Sequence, residues 1–255
     1  MQVTVAYDYV LVLEWLGPDD RRTGSELHVR LLAAGVRSRL VVCNSGEEVR
    51  IILADALNSI STQGVPAIHL ETHGTDPYEG DPRGIAFGAG DGPLISWDTL
   101  GEWLASLNEA SGYRLLVVSG ACWGSGVIAG MGAGEHPAPF ACAIGFRTAV
   151  SEGRLFDVMT ELYRSLHGGG ELEESVASAQ RELVAGQELH LEIAALLAIQ
   201  ILRKAYYGPP LVPRNRSIGQ LRRRRRARAV WNRWFPTWLQ EQQPIYHFNI
   251  AQIDV

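Results

Sequence analysis

The chain has 255 residues with a net charge of −5 and a pI near 5.8, an acidic balance that argues against a generic nucleic-acid binder. Its 46% hydrophobic content is enough to fill the core of one large α/β domain. Three cysteines, Cys43, Cys122 and Cys142, are too few and odd in number for a disulfide framework, which favours a reducing compartment, the cytoplasm.

The N-terminus has no basic start, and Asp8 and Glu14 interrupt its apolar run, so no signal peptide is expected. No uncharged apolar run of about 18 residues occurs, so no membrane partner is expected. Charge is uneven along the chain. Residues 206–255 carry nine arginines against two acids, about +7, which leaves about −12 for residues 1–205. That division separates an expected globular body, 1–205, from an Arg-rich and Trp-rich tail, 206–255.

The spacing predicts a first strand within Val3 to Leu16, where alternation gives way to a continuous apolar run. Gly17-Pro18-Asp19-Asp20 is a turn cluster. A helix is expected over Ser25 to Ala34, closed by Gly35, then a strand over Arg39 to Cys43. Glu47 to Ser61 repeats apolar residues at a helical period, and Val65 to Gly74 reads as a strand ending in His73. Thr75 to Gly92 is rich in Gly, Asp and Pro and opens a small hairpin, with arms at Gly84 to Phe87 and Pro93 to Ile95. Ser96 caps a helix that Gly112 ends, with Asp98 in its first turn.

Leu115 to Val118 is a short buried strand leading into Cys122, followed by a glycine-laced helix from about Gly124 to Met131. Phe140 to Phe146 is another strand, and Leu155 to Leu166 an amphipathic helix that stops at Gly168. Leu172 to Val184 and Leu189 to Ala205 read as two further helices, the second as a core helix. Alternating strands and helices of this kind predict a mostly parallel sheet with helices on both faces.

Two strand-to-turn units stand out, VPAIHLETHG at 65–74 and LLVVSGACWGSG at 115–126. Each places one reactive side chain just past the C-terminal end of a parallel strand, where open α/β sheets place their active sites. One is an imidazole, His73, and the other a thiol, Cys122, the two parts of a cysteine nucleophile. A cysteine after an apolar strand is ordinarily a small buried hydrophobe, and Cys43 and Cys142 read that way. His73 and the surrounding glycines set Cys122 apart. His69, inside a strand, reads as structural. No Cys or His pairs show ligand spacing, so neither a metal nor a cofactor is expected.

These residues resemble the caspase-like cysteine peptidases, most closely their bacterial branch, the CHAT-like domains. The resemblance rests on His73-Gly74 after a strand, Ser96-Trp97-Asp98 with Leu100 opening a helix, and Ala121-Cys122-Trp123-Gly124 after a strand about fifty residues past the histidine. Ala143 to Leu183 looks like the family's strand, loop and paired helices, so the likeness covers roughly residues 10–185. It implies a caspase-like mostly parallel sheet flanked by helices on both faces.

The resemblance also implies a hydrolase, a thiol protease with a protein substrate. Cys122 would be the nucleophile and His73 the general acid, with oxyanion donors at the backbone N–H groups of Gly74 and Cys122. A helix starting just after Cys122 would favour a thiolate there. Caspases proper carry Gln two places before the cysteine and metacaspases Asp; here the residue is Gly120, so substrate preference does not carry over. Arg147 would favour an acidic side chain before the scissile bond, Glu152 and Asp157 a basic one, and position alone does not decide. Control by a regulatory protein partner stays open, as does the rival reading of a catalytically inactive caspase-like scaffold for protein interaction.

The tail contains Arg222 to Arg226 and Arg228, then Trp231, Trp234, Phe235 and Trp238 at near-helical spacing, then alternating Tyr246, Phe248 and Ile250. A solvated basic helix followed by a packing segment, docking on an acidic partner, and docking on the chain's own acidic body all fit. Nucleic acid is the least favoured occupant, given the acidic remainder.

Overall fold

A computed structural model describes residues 7–75, 84–88, 92–131 and 138–193; the Arg-rich tail lies outside them. The architecture is mixed α/β, built on a mostly parallel sheet. Its elements are β1 (Tyr9–Trp15), α1 (Thr23–Ala33), β2 (Ser38–Val42), α2 (Gly46–Gln63), β3 (Pro66–Gly74), β4 (Gly84–Ala86), β5 (Leu94–Ser96) and α3 (Trp97–Ala110). There follow β6 (Leu116–Ser119), a 3₁₀ helix (Gly124–Met131), β7 (Cys142–Phe146), α4 (Glu152–His167), α5 (Leu172–Gln180) and β8 (Leu189–Ile193).

Strand order is β2-β1-β3-β6-β7-β8, with the β4–β5 hairpin attached to the end of β3. The first five strands of that path run parallel, and β8 is antiparallel to β7. From β1 the chain steps to one side for β2, then back across β1 to β3. Right-handed crossovers in opposite directions put α1 and α2 on opposite faces of the sheet. Accordingly α1 packs on α4, and α2 on α3. Arg30 reaches Asp157 at 2.8 Å across the first pair, and the Arg21 and Arg30 guanidinium groups lie 4.8 and 5.1 Å from the Phe156 ring centroid.

The central strands are mostly apolar because helices cover both of their faces, with Glu14 on β1 and His69 and Glu71 on β3 as buried polar exceptions. All seven residues of β1 are buried. Local sequence sets the helix starts. The Ser45 hydroxyl accepts the Glu48 N–H at 3.1 Å to open α2, and Ser96 accepts the Thr99 N–H at 3.1 Å to open α3. Among the described residues no helix is long and apolar enough to cross a membrane.

Residues 189–193, expected to begin a helix, form β8 instead. Leu189, Leu191 and Ile193 alternate with His190 and Glu192, a period of two that suits a strand rather than a helix. Residues 194–205 lie outside the described residues. The preceding helix, α5, is shorter than expected and stops at Gln180. There the Gln180 side chain accepts the Leu189 N–H at 2.7 Å and donates to the Gln187 carbonyl at 3.0 Å, closing the turn into β8. The helix expected after Cys122 is a 3₁₀ helix, not an α-helix.

Candidate active site

β3 and β6 are hydrogen-bonded neighbours, with Ile68, His69 and Leu70 opposite Val117, Val118 and Ser119. Their C-terminal ends therefore leave the same edge of the sheet side by side. β3 runs past this register and pairs through His73 and Gly74 with Ala86 and Ile85 of β4. His73 and Cys122, half-buried, sit at this edge.

The backbones there touch. A Cβ on Gly74 would fall 1.7 Å from the Cys122 carbonyl oxygen, so only glycine allows this approach. Trp123, next to the cysteine, adopts φ +52°, a left-handed conformation that costs a non-glycine residue of order 1–3 kcal/mol. Its N–H is held by the Thr148 carbonyl at 3.2 Å. The Val150 N–H donates to Cys122 Sγ at 3.4 Å, so the loop after β7 fixes both the turn and the sulfur.

Of the three free cysteines only Cys122 is not buried. Burial pushes the Cys43 thiol up to about 11, with Glu48 adding to the effect, and burial alone pushes Cys142 up to about 12. Both belong to the core, and neither suits nucleophilic chemistry at neutral pH.

His73 has a partner in the Gly17–Asp20 turn cluster. Its Nε2–H donates to Asp20 Oδ2 at 2.9 Å, from a loop 53 residues earlier in the chain. The Gly17 N–H donates to the same oxygen at 2.6 Å. Burial works against the Asp20 carboxylate, but the bonds from His73 and Gly17 outweigh it and hold its pKa below the ordinary aspartate range. The available signal was an acid just past the end of a buried strand, the same placement that drew attention to His73 and Cys122.

Beneath the edge lies a buried polar network. His69 Nε2–H donates to Glu71 Oε2 at 2.7 Å, and the Tyr163 hydroxyl lies 3.1 Å from His69 Nδ1. Thr23 donates to Glu71 Oε1 at 2.7 Å. On the neighbouring strand Glu14, in register with Glu71, accepts the Ser25 N–H at 2.8 Å. All of these side chains face α1 and α4. Buried charges and dipoles are tolerated only with such partners.

The four residues weighed for the substrate pocket fall in different places. Gly120 is buried at the end of β6, and a Cβ there would lie 2.6 Å from Glu71 Oε2. Arg147 is exposed after β7 and donates to Glu188 at 3.3 Å and to His190 at 3.2 Å. Glu152 is exposed in the first turn of α4. Asp157 is engaged by Arg30 of α1. Among the described residues no group of three or more His, Cys, Asp or Glu could hold a metal ion.

No protein-family model matches this chain, and no curated protein matches it.

Proposed function

We propose that the chain is a caspase-like cysteine endopeptidase of the CHAT-like kind, acting on a protein substrate through Cys122 and His73. The observation that carries the reading is the contact between Gly74 and the Cys122 carbonyl. It belongs to a sheet edge that presents one imidazole and the chain's one unburied thiol from adjoining turns.

In this reading Cys122 Sγ attacks the peptide carbonyl carbon and forms an S–C bond. The carbonyl π electrons move to oxygen. On collapse the C–N bond breaks, and His73 gives its proton to the leaving amine. Water then attacks the thioester, with His73 as base, and releases the acid and the thiol. The oxyanion would be met by the N–H groups of Gly74 and Cys122. A free thiol nucleophile suits a reducing compartment such as the cytoplasm. The residue preferred before the scissile bond stays open between acidic and basic, as does control by a protein partner.

The test is mass spectrometry of peptides released from a proteome by the full-length protein and by Cys122→Ala. New cleavage products that vanish in the variant, with its fold intact, support the reading. Residual cleavage within about tenfold of the parent would refute the nucleophile, because loss of a covalent nucleophile costs far more. Equal, background release by both proteins would favour the scaffold.

A further inference from the structure

We propose that Asp20 is the positioning residue of His73. It makes the Cys122–His73 pair a three-membered arrangement in which a carboxylate fixes the imidazole tautomer and stabilises the imidazolium. The inference rests on the cysteine-peptidase reading of the same site.

Two ties join the same two segments. Asp20 accepts from His73 at 2.9 Å. Three residues later, Thr23 donates to Glu71, two residues before His73, at 2.7 Å. His69, Glu71 and His73 alternate along β3 and therefore share a face. The strand that carries the imidazole thus also anchors the loop that carries its acid. The loop is held from its other end too: the Arg22 guanidinium donates to the Leu16 carbonyl at 3.4 Å, and the Ser25 N–H to Glu14 at 2.8 Å. The Asp20 carboxylate is set in place by the Gly17 N–H at 2.6 Å, whatever the state of His73. An ordinary surface ion pair, with two long free side chains, is worth little. Here the side chains of His73 and Asp20 are 34% and 21% exposed, and the acid is preorganised.

The chemistry follows from which nitrogen is taken. An ionised carboxylate only accepts, so Nε2 keeps its proton and neutral His73 presents the Nδ1 lone pair. The Cys122 Sγ–H, turned toward the Val150 carbonyl at 3.8 Å in the structure, would swing to Nδ1 and give it the proton, leaving a thiolate and an imidazolium. The Nε2 proton stays on the ring, and Asp20 remains unprotonated throughout. Charged or titratable groups near this edge include Asp20 and Arg22 on the loop, Glu71 with its partner His69 on β3, and Cys122 after β6. Arg21 is turned to Glu26.

The experiment needs no substrate. Iodoacetamide alkylation of Cys122 in the full-length protein is followed by peptide mass spectrometry across the range of histidine titration, for wild type, Asp20→Asn, Asp20→Ala and His73→Ala. Asparagine can still accept from Nε2 but carries no charge, so the two Asp20 variants separate charge from orientation. The expected result is that Asp20→Ala slows the His73-dependent alkylation of Cys122 about tenfold and that Asp20→Asn, which keeps the acceptor, restores part of that rate. An Asp20→Ala rate equal to wild type, or one that asparagine does not raise, overturns the positioning role. A His73→Ala profile that superimposes on wild type overturns the dyad itself, a different failure with a different signature.

Discussion

Gly74 and Cys122, on neighbouring strand ends, are in backbone contact at the Cys122 carbonyl. Replacing Gly74 with alanine must therefore move one turn or the other. Gly74→Ala is expected to slow Cys122 alkylation by about tenfold or more, since displacements near 1 Å are felt strongly in such sites. It should also lower Tm while leaving the far-ultraviolet circular dichroism unchanged. Wild-type alkylation together with a wild-type Tm would contradict the contact.

Gly120 meets the Glu71 carboxylate in the same manner, 2.6 Å from where a Cβ would stand. Gly120→Ala should cost about 1–3 kcal/mol by overpacking a buried, hydrogen-bonded group. The cost should shrink in a Glu71→Ala background, where the obstructing carboxylate is gone. A double-mutant cycle by chemical denaturation reads the coupling. Strictly additive costs would mean that the two residues do not compete for this space.

Tyr163, fully buried on α4, is the partner of His69 Nδ1. Tyr163→Phe leaves that ring nitrogen buried without a partner, at a cost of about 1–3 kcal/mol. The midpoint of urea unfolding should fall with an unchanged m-value. An unchanged midpoint would show that the network tolerates the loss.

Glu161 ties α4 to α5. Its carboxylate accepts from Ser178 at 2.6 Å and pairs with Arg164. The Ser178 bond outweighs burial, Arg164 assists, and the pKa lies below the ordinary glutamate value. A folded-state pKa below the unfolded one adds stability that is fully present above the unfolded value, about 4.3, and is lost as pH falls through the folded value. Tm of the wild type should therefore fall more steeply on acidification through that window than Tm of Glu161→Gln. Parallel curves for the two proteins would exclude the contribution.

Much of the sheet was legible because its signals are local. Apolar strands alternating with 3.6-period helices, the serine cap at 96 and glycine stops after the helices each act within a few residues. The edge carrying His73 and Cys122 was legible from two glycine-flanked strand ends. β8 was not, because a five-residue alternation was joined to the apolar run that follows it. The role of Asp20 and the packing of Gly120 on Glu71 were also hidden. Both depend on partners about fifty residues away, which only the strand register brings into reach.

The order of strands in the sheet also sets a timetable. Asp20 and His73 belong to the first half of the described chain, yet the partner strand that brings Cys122 to them, β6, lies between β3 and the later β7. A growing chain that has made β1 to β3 holds an acid and an imidazole with no thiol. Pairing of such distant segments is slow compared with helix formation. The edge that carries both side chains thus comes into being only when the centre of the sheet has zipped. A partly synthesised or unfolded chain exposes its thiols to alkylation but cannot couple Cys122 to His73, so protection of Cys43 and Cys142 becomes a clock for completion of the fold.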